Sequence, residues 1–226
     1  MDIGKALTYY TKDEKFVSVV AIFSLLILSC IFLLPIFFVG PLFVGYTVEL
    51  VRRIQNGDYS LPEIQYGDQW KRGLLLVIVQ IAVGFVFGII QFAIIIPLAL
   101  MMGLGNEIAS SSSSYSSTSG SLLYSLVSNV VSYAFSFVTM IISFMMVAIY
   151  AKTDNVNALF KIDNYKKLWA NNGANLIILP IISSIVGGFV ALIGLVALCI
   201  GILPASVISM LISAGFNGQV DVKEIE

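Results

Sequence analysis

Small polar side chains recur along two apolar stretches of this sequence at the spacing of a single helix face. One stretch carries them at alternating intervals of four and three residues, at Ser125, Asn129, Ser132, Ser136, Thr139 and Ser143. The other carries Gln80, Gly84, Gly88 and Gln91. Side chains three and four residues apart lie on one side of an α-helix, and hydroxyls and carboxamides both donate and accept hydrogen bonds. The chemistry that this pattern offers is hydrogen bonding, to a neighbouring helix or to a solute.

Two interpretations of these residues, which we call the polar seam, follow from the sequence. In the first they form a packing seam, because small residues let helix backbones approach and polar side chains bond across the contact. An unpaired carboxamide in hydrocarbon costs several kcal/mol, so Gln80 is expected level with residues 139–143 and Gln91 level with residues 129–132. In the second, Gln80, Gln91, Asn129 and the hydroxyls line a polar path for a solute.

Most catalytic chemistry is excluded by residues that the chain lacks. Histidine is absent, which removes Ser-His and Cys-His nucleophilic catalysis and every His-ligated metal site. The apolar stretches hold no carboxylate of the kind that proton-coupled transporters usually keep within the membrane. No phosphate-cradling or nucleophile motif is present. We therefore predict a protein that is not an enzyme and has no cofactor and no metal. A net charge of −1 also leaves no basic surface for nucleic acid.

The composition indicates the medium around the chain. Of the 226 residues, 58% are hydrophobic and only 11% are charged, against about 25% charged in soluble domains. Four long stretches contain no Asp, Glu, Lys or Arg: residues 16–48, 73–106, 108–151 and 168–220. Segments that cross lipid must bond their own backbone, so they are helices, and each crossing needs about 20 residues.

Proline and glycine divide these stretches into six membrane helices. Pro35, Gly40 and Pro41 indicate a tight hairpin in the first stretch, and residues 201–204 divide the last. The prediction is an all-α polytopic bundle, one domain over residues 1–226, with transmembrane helices at residues 16–34, 36–52, 73–101, 121–150, 174–200 and 204–216. With six crossings all 12 Lys and Arg residues fall on one side. Cytoplasmic loops carry such an excess, so both termini are expected in the cytoplasm and the protein in the cell membrane.

Segments outside the six helices have recognisable patterns. Residues 1–15 and 153–170 read as amphipathic interfacial segments, the second with a break near Asp163 and with Trp169 as an anchor. Thr11 and Glu14 fit a capping box that starts the first helix. Residues 109–120 form a serine-rich external loop that is expected to be a flexible spacer. Cys30 and Cys199 are interpreted as small buried hydrophobic residues, and the sequence does not decide whether they meet.

Two further sets of residues are expected to make contacts. Small residues on the last two helices predict close-packing faces, at Ser183, Gly187, Gly194 and Gly201 on one and at Ala205, Ser209, Ser213 and Asn217 on the other. Glu49 can pair with Arg52 or Arg53 at the end of the second helix.

The loop before the third helix offers a candidate docking surface. It contains Leu61, Pro62 and Glu63, and Asp68 is a plausible N-cap for that helix. One interpretation is a structured loop that joins two helical hairpins. The alternative is a docking surface for a cytoplasmic partner.

Motifs spread along the chain resemble a known family. They are Gly45-Tyr46, Val51-Arg52-Arg53, Asn56-Gly57-Asp58, Leu61-Pro62-Glu63, Asp68, Gly73, Ala148-x-Tyr150-Ala151, Ala158, Phe160 and the run from Ala214 to Gln219. In order and spacing they are similar to a prokaryotic family of multi-pass membrane proteins known as domain of unknown function 4013. Ile64 departs from the family, which often has an aromatic residue there. The resemblance implies a helical integral membrane protein and carries no established activity.

The sequence thus favours a non-enzymatic membrane scaffold or accessory subunit. Its partners would be the lipid bilayer and a membrane or cytoplasmic protein, and a homo-oligomer is compatible with the same pattern. A small uncoupled transporter or channel using the polar seam is the alternative, and a lipid-handling protein using the amphipathic segments is the third.

Overall fold

The computed structural model describes residues 2–29, 36–101, 118–196 and 201–225. In these ranges all regular structure is helical, so the predicted all-α class is confirmed. The helices are α1 Ile3–Thr8, α2 Phe16–Ser29, α3 Ile36–Gln55, α4 Tyr66–Met101, α5 Thr118–Thr153, α6 Ile162–Asn172, α7 Asn175–Val196 and α8 Ile202–Asn217, with 3-10 turns at Tyr9–Lys12 and Val156–Phe160.

Three helices are long and apolar enough to cross a bilayer. They are Tyr66–Met101, Tyr124–Thr153 and Asn175–Leu195. The apolar helices α2 and α8 have 14 and 16 residues, about 21 and 24 Å at 1.5 Å per residue, against a hydrocarbon core of about 30 Å. Helix α3 has 20 residues, but its last turns carry Glu49, Arg52 and Arg53. Three of the six predicted spans therefore have the required length in the described residues.

Several predicted turns and several predictions for single residues lie outside the described ranges. These are the end of the first helix with Cys30 and Pro35, most of the serine-rich segment, and Cys199. The second predicted helix, residues 36–52, begins where α3 begins, at Ile36, and α3 contains Gly40 and Pro41 as that range does. Residues 118–120, predicted as the end of the external loop, already belong to α5.

The start of α4 was predicted wrongly. The helix begins at Tyr66, seven residues before the predicted start, so Asp68 lies in its first turn and is not its N-cap. The side chain of Gln69 supplies the cap, because its Oε1 accepts a hydrogen bond from the backbone N of Gln65 at 2.9 Å. Such a bond satisfies a backbone donor that the helix itself leaves free. Asp68 still suits its place, since a carboxylate in the first turn interacts favourably with the helix dipole.

The predicted capping box before α2 is also absent. Thr11 Oγ1 donates to the carbonyl of Thr8, because the 3-10 turn continues the chain from α1. Asp13 provides a side-chain acceptor before α2 instead, because its Oδ1 accepts a hydrogen bond from the backbone N of Lys15 at 2.8 Å. In the second interfacial segment the break falls at Lys161, two residues before the predicted Asp163.

Contacts divide the chain into two compact units. Unit 1 comprises Met1–Val79 and Ser143–Glu226, and unit 2 comprises Gln80–Ile142. Helix α8 is the centre of unit 1 and packs against α1, α2, α3 and α7. A Cβ at Gly187 would collide with Ser209, and one at Gly194 with Ala205. The close-packing faces predicted for the last two helices are therefore confirmed.

Helices α3 and α4 cross with their backbones in contact. A Cβ at Gly45 would overlap the carbonyl of Gln69, and one at Gly73 would overlap the carbonyl of Pro41. Since the obstructing atoms are backbone, no side-chain rotation can make room. Glycine is required at both positions, and the crossing places the end of α3 beside the first turns of α4.

This crossing predicts opposite effects for glycine substitutions in the same two helices. Gly45→Ala and Gly73→Ala should lower the free energy of unfolding by about 1–3 kcal/mol or more, because the added methyl group meets backbone atoms. Gly40→Ala and Gly67→Ala are matched controls, since nothing lies within 4 Å of a Cβ at either position. The controls should be neutral or stabilising by up to about 1 kcal/mol. Thermal unfolding of the detergent-solubilised protein measures the difference, and equal midpoints for all four variants would contradict the crossing.

Candidate functional site

Four charged side chains from three parts of unit 1 form a closed ring of ion pairs. Arg72 Nη1 lies 2.9 Å from Glu49 Oε2, and Arg72 Nη2 lies 3.2 Å from Asp154 Oδ2. Arg52 Nη2 lies 2.9 Å from Asp154 Oδ1, and Arg52 Nη1 lies 3.6 Å from Glu49 Oε2. We call Glu49, Arg52, Arg72 and Asp154 the charge ring. It joins the end of α3, the start of α4 and the residue after α5.

The ring neutralises its own charges at the ends of apolar helices. Two guanidinium groups alternate with two carboxylates, so each charge has an opposite charge on both sides. The side chains of Glu49, Arg52 and Arg72 are partly buried, where ion pairs are screened less by salt than on an open surface, while that of Asp154 is 42% exposed. Arg53 adds a weaker contact to Glu49 at 3.9 Å. The spacing predicted that Glu49 pairs with Arg52 or Arg53, and in the structure Glu49 contacts both.

Side chains of α3 also bond carbonyls near the end of α5. Arg52 Nε donates to the carbonyl of Ala151 at 2.8 Å, and Gln55 Nε2 donates to that of Ala148 at 3.2 Å. Ala151 is among the last four residues of α5, whose carbonyls have no partner within the helix, and a cation there is favoured by the helix dipole. Ala148 lies before these four residues. One side chain, Arg52, therefore caps α5 and closes the charge ring.

The backbone of Asp154 has a conformation that L-residues rarely adopt. Its φ is 52°, in the left-handed region, where Asp and Asn are tolerated better than most residues. The turn ends α5 and directs the carboxylate to Arg52 and Arg72. Neither Asp154 nor Arg72 was among the candidate site residues identified from the sequence.

A polar cavity of about 210 Å³ lies beside the ring. Its walls are Glu49, Arg52, Arg53, Pro62, Glu63, Gln65, Asp68, Gln69 and Arg72. Three of the four predicted docking residues, Pro62, Glu63 and Asp68, therefore share one cavity. Leu61 does not line it, because its side chain is only 1% exposed and belongs to the core.

Ionic and backbone hydrogen bonds hold the loop that carries Pro62 and Glu63. Lys15 Nζ lies 3.0 Å from Glu63 Oε1, and Asp13 Oδ2 accepts from the backbone N of Leu61 at 2.7 Å. The backbone N–H of Ser60 hydrogen-bonds to Asp58 and lowers the pKa of its carboxyl, with a smaller contribution from Arg53. The hydrogen bond from Lys15 lowers the pKa of Glu63. The loop is thereby tied to the start of α2.

Both described ends of the chain bond within unit 1. Asp2 N donates to Gln219 Oε1 at 2.9 Å, while Gln219 Nε2 donates back to the carbonyl of Asp2 at 2.8 Å. Gly218, just after α8, packs against Ile54 at the end of α3. The N-terminal segment, the C-terminal segment and the charged end of α3 therefore belong to one polar layer.

In unit 2 the polar seam is bridged at one point between its two helices. Gln91 Nε2 donates to Ser132 Oγ at 3.0 Å, at the level predicted for Gln91. Thr139 instead donates to Phe135 of its own helix, and Asn129 Nδ2 lies 3.5 Å from Ser125 on the same helix.

Other members of the seam are open to the surroundings of the chain. Nothing described lies within 4 Å of a Cβ at Gly84 or Gly88, so the close approach predicted there is not formed by the described residues. Asn129 and Ser136 are exposed, while Gln80 and Ser143 are half-buried on their helices.

No metal-binding cluster is found in the described ranges, where no group of three or more His, Cys, Asp or Glu side chains is suitably placed. Glu49 and Asp154 direct their carboxylates to arginines. The arrangement can bind charged or hydrogen-bonding groups in the cavity and offers no nucleophile activated by a base.

Comparison with known proteins places most of the chain in one family model. The model is described as "Protein of unknown function (DUF4013)" and matches residues 28–202. The resemblance noted from the sequence motifs is thus confirmed. No curated protein and no solved structure matches the chain.

Removing one carboxylate from the charge ring should destabilise the protein. Glu49→Gln and Asp154→Asn should each lower the free energy of unfolding by roughly 1–3 kcal/mol, the range for hydrogen bonds to charged groups. Asn tolerates the same backbone conformation as Asp, so Asp154→Asn reports charge rather than strain. Asp163→Asn is the control, because its pair with Lys166 is long and exposed and worth about 0–1 kcal/mol. Equal thermal midpoints for the three variants would show that the ring contributes nothing.

Lowering the pH should release the loop of residues 56–65, which carries Pro62 and Glu63, from the start of α2. The lowered pKa of Glu63 stabilises the folded loop at pH values above the ordinary value of 4.5, and this stabilisation is lost as the pH falls through the folded-state pKa. Hydrogen exchange of residues 56–65, corrected for the intrinsic pH dependence, should therefore rise as the pH falls below that ordinary value. In Glu63→Gln the exchange should already be raised at neutral pH and should change less with acid. An unaltered pH profile in this variant would argue against the Lys15–Glu63 contact.

Proposed function

This chain belongs to the DUF4013 family of proteins of unknown function, and we propose that it is a multi-pass protein of the cell membrane that acts without catalysis, as a scaffold or accessory subunit. Three helices of membrane-crossing length support the membrane location. Since the family description names no activity, the function is inferred from the geometry of the charged layer.

Hydrogen bonds and ion pairs between helix ends support six crossings. The flanks of α2 and α3 meet at Lys15 and Glu63, and those of α4 and α5 meet at Arg72 and Asp154. Each of these helix pairs therefore leaves the polar layer and returns to it.

The last helix pair follows the same rule. Asn172, before α7, exchanges two hydrogen bonds with Asp221, after α8. An even number of crossings follows, with both termini on the side of the layer. The excess of Lys and Arg in this layer indicates the cytoplasmic side.

The observation that carries the scaffold function is the cavity with its fixed walls. Its arginines are already paired with Glu49, Asp58 and Asp154. Asp68, on the same cavity, is exposed and makes no ion pair within the described ranges. A cytoplasmic partner that inserts a basic side chain would find Asp68 free and Glu63 beside it. Fixed walls favour such docking, because little side-chain entropy is lost on binding.

Docking at this cavity predicts selective loss of a partner. Glu63→Ala combined with Asp68→Ala should reduce co-purification of the bound protein from solubilised membranes by at least about tenfold, equivalent to about 1.4 kcal/mol. Asp163→Ala is the control, since Asp163 is an exposed carboxylate that does not line the cavity. The double variant and the Asp163→Ala control should be recovered from the membrane in equal yield. Undiminished co-purification with the double variant would reject docking at the cavity.

A small uncoupled transporter is the second candidate, and the Gln91–Ser132 hydrogen bond is the observation in its favour. The same bond is expected of a dry packing contact between membrane helices. Because Gly84, Asn129 and Ser136 are exposed, the described part of the seam supports the scaffold better than a lined path.

A further inference from the structure

Helix α6 buries two asparagines beside Leu168 and exposes large apolar side chains. Asn164 and Leu168 are 3% and 0% exposed, and Asn172 is buried one turn further on. On the outer side Ile162 and Trp169 are 69% and 47% exposed, and Phe160, just before the helix, is 65% exposed. A surface helix in water normally shows the opposite arrangement.

Hydrogen bonds of the buried asparagines fix this orientation. Asn164 Nδ2 donates to the carbonyl of Ala158 at 3.0 Å. Asn172 Nδ2 donates to the carbonyl of Asp221 at 2.9 Å, and Asn172 Oδ1 accepts from the backbone N of Asp221 at 2.8 Å. Rolling the helix to bury Trp169 would break these bonds and leave buried polar groups without partners. The apolar side therefore stays outward.

The position of α6 in the chain holds this outer face near the membrane. Gly173, with φ of 46°, ends the helix, and its N–H donates to the carbonyl of Trp169 at 2.7 Å. Helix α7, one of the membrane-length helices, begins two residues later at Asn175. Trp169 thus lies six residues before a membrane span, where aromatic side chains are enriched at the lipid–water boundary.

Basic side chains flank the apolar residues. Lys161 and Lys166 are both exposed, and Lys166 makes only a long contact of 3.8 Å with the exposed Asp163. Lysine can extend its charge toward water or headgroups while its methylene groups cover apolar surface. Phe160, Ile162 and Trp169 with two lysines beside them have the composition of a segment that lies in an anionic lipid surface.

We propose that α6 is a lipid-binding surface, lying in the cytoplasmic headgroup region with Phe160, Ile162 and Trp169 in the lipid and Lys161 and Lys166 on anionic headgroups. The site is separate from the docking cavity, none of whose walls it shares. A basic residue near an anionic membrane surface contributes about fivefold to binding, equivalent to about 1 kcal/mol. The surface should therefore prefer anionic to zwitterionic lipid.

Tryptophan fluorescence tests the proposal, because the chain has only two tryptophans. Trp70→Phe leaves Trp169 as the one emitter in the full chain, reconstituted in phosphatidylcholine vesicles with or without phosphatidylglycerol. Trp169 should emit at shorter wavelength than free tryptophan and resist quenching by aqueous iodide. Bromine near the carbonyl end of the acyl chains should quench it more than bromine near the terminal methyl group. Brominated phosphatidylglycerol should quench it more than brominated phosphatidylcholine at equal mole fraction.

Charge variants test the lysines. Lys161→Gln with Lys166→Gln should reduce the preference for phosphatidylglycerol, by about fivefold per lysine. Lys223→Gln, which removes an exposed lysine of the C-terminal segment, should leave it unchanged. Should Trp70→Phe not fold, the difference between the unaltered chain and Trp169→Phe gives the same signal. Emission like that of free tryptophan, with full access to iodide, would overturn the proposal and assign the face to a protein partner. Equal quenching by both brominated lipids would overturn the anionic preference.

Discussion

Mutual neutralisation of Glu49, Arg52, Arg72 and Asp154 is the interaction on which the rest of unit 1 depends. Each of these charges lies at the end of an apolar helix, where an unpaired charge would be costly to remove from water. Pairing them with one another joins α3, α4 and α5 at a single layer. The same layer contains Asp2 and Gln219, the loop of residues 56–65 and the start of α7. The cavity exists because the ring and this loop stand side by side.

Close backbone contacts bring the charged ends together. The crossing at Gly45 and Gly73 fixes α3 against α4, so that Glu49 reaches Arg72. Gly187 and Gly194 allow a similarly close contact of α7 with α8. In lipid the hydrophobic effect does not drive helices together, so packing and hydrogen bonds must do so. Glycines at these crossings therefore act on the polar layer even though they bear no functional group.

The polar layer presents two exposed surfaces of different composition. Its cavity offers exposed carboxylates, while α6 offers aromatic and aliphatic side chains between lysines. Tyr9 is buried within the layer. Its hydroxyl donates to the carbonyl of Leu211 at 2.8 Å, and burial raises the pKa of its phenol. A rigid layer of this kind is consistent with the proposed scaffold role.

Hydropathy and charge in the sequence determined the helical class, the three long apolar helices, the small-residue faces of α7 and α8 and the local pairs of Glu49. These properties depend on the medium and on neighbours within one or two helix turns. The tertiary structure decided the pairing of Glu49 and Arg52 with Arg72 and Asp154, the capping of α4 by Gln69, the open space beside Gly84 and Gly88, and the outward side of α6. Each of these features depends on a segment that is distant in the sequence. That segment supplies a charge or a carbonyl group, or leaves the position without a contact. The periodicity of residue types along a helix indicates which side of that helix is packed. It contains no information on which other helix packs against that side.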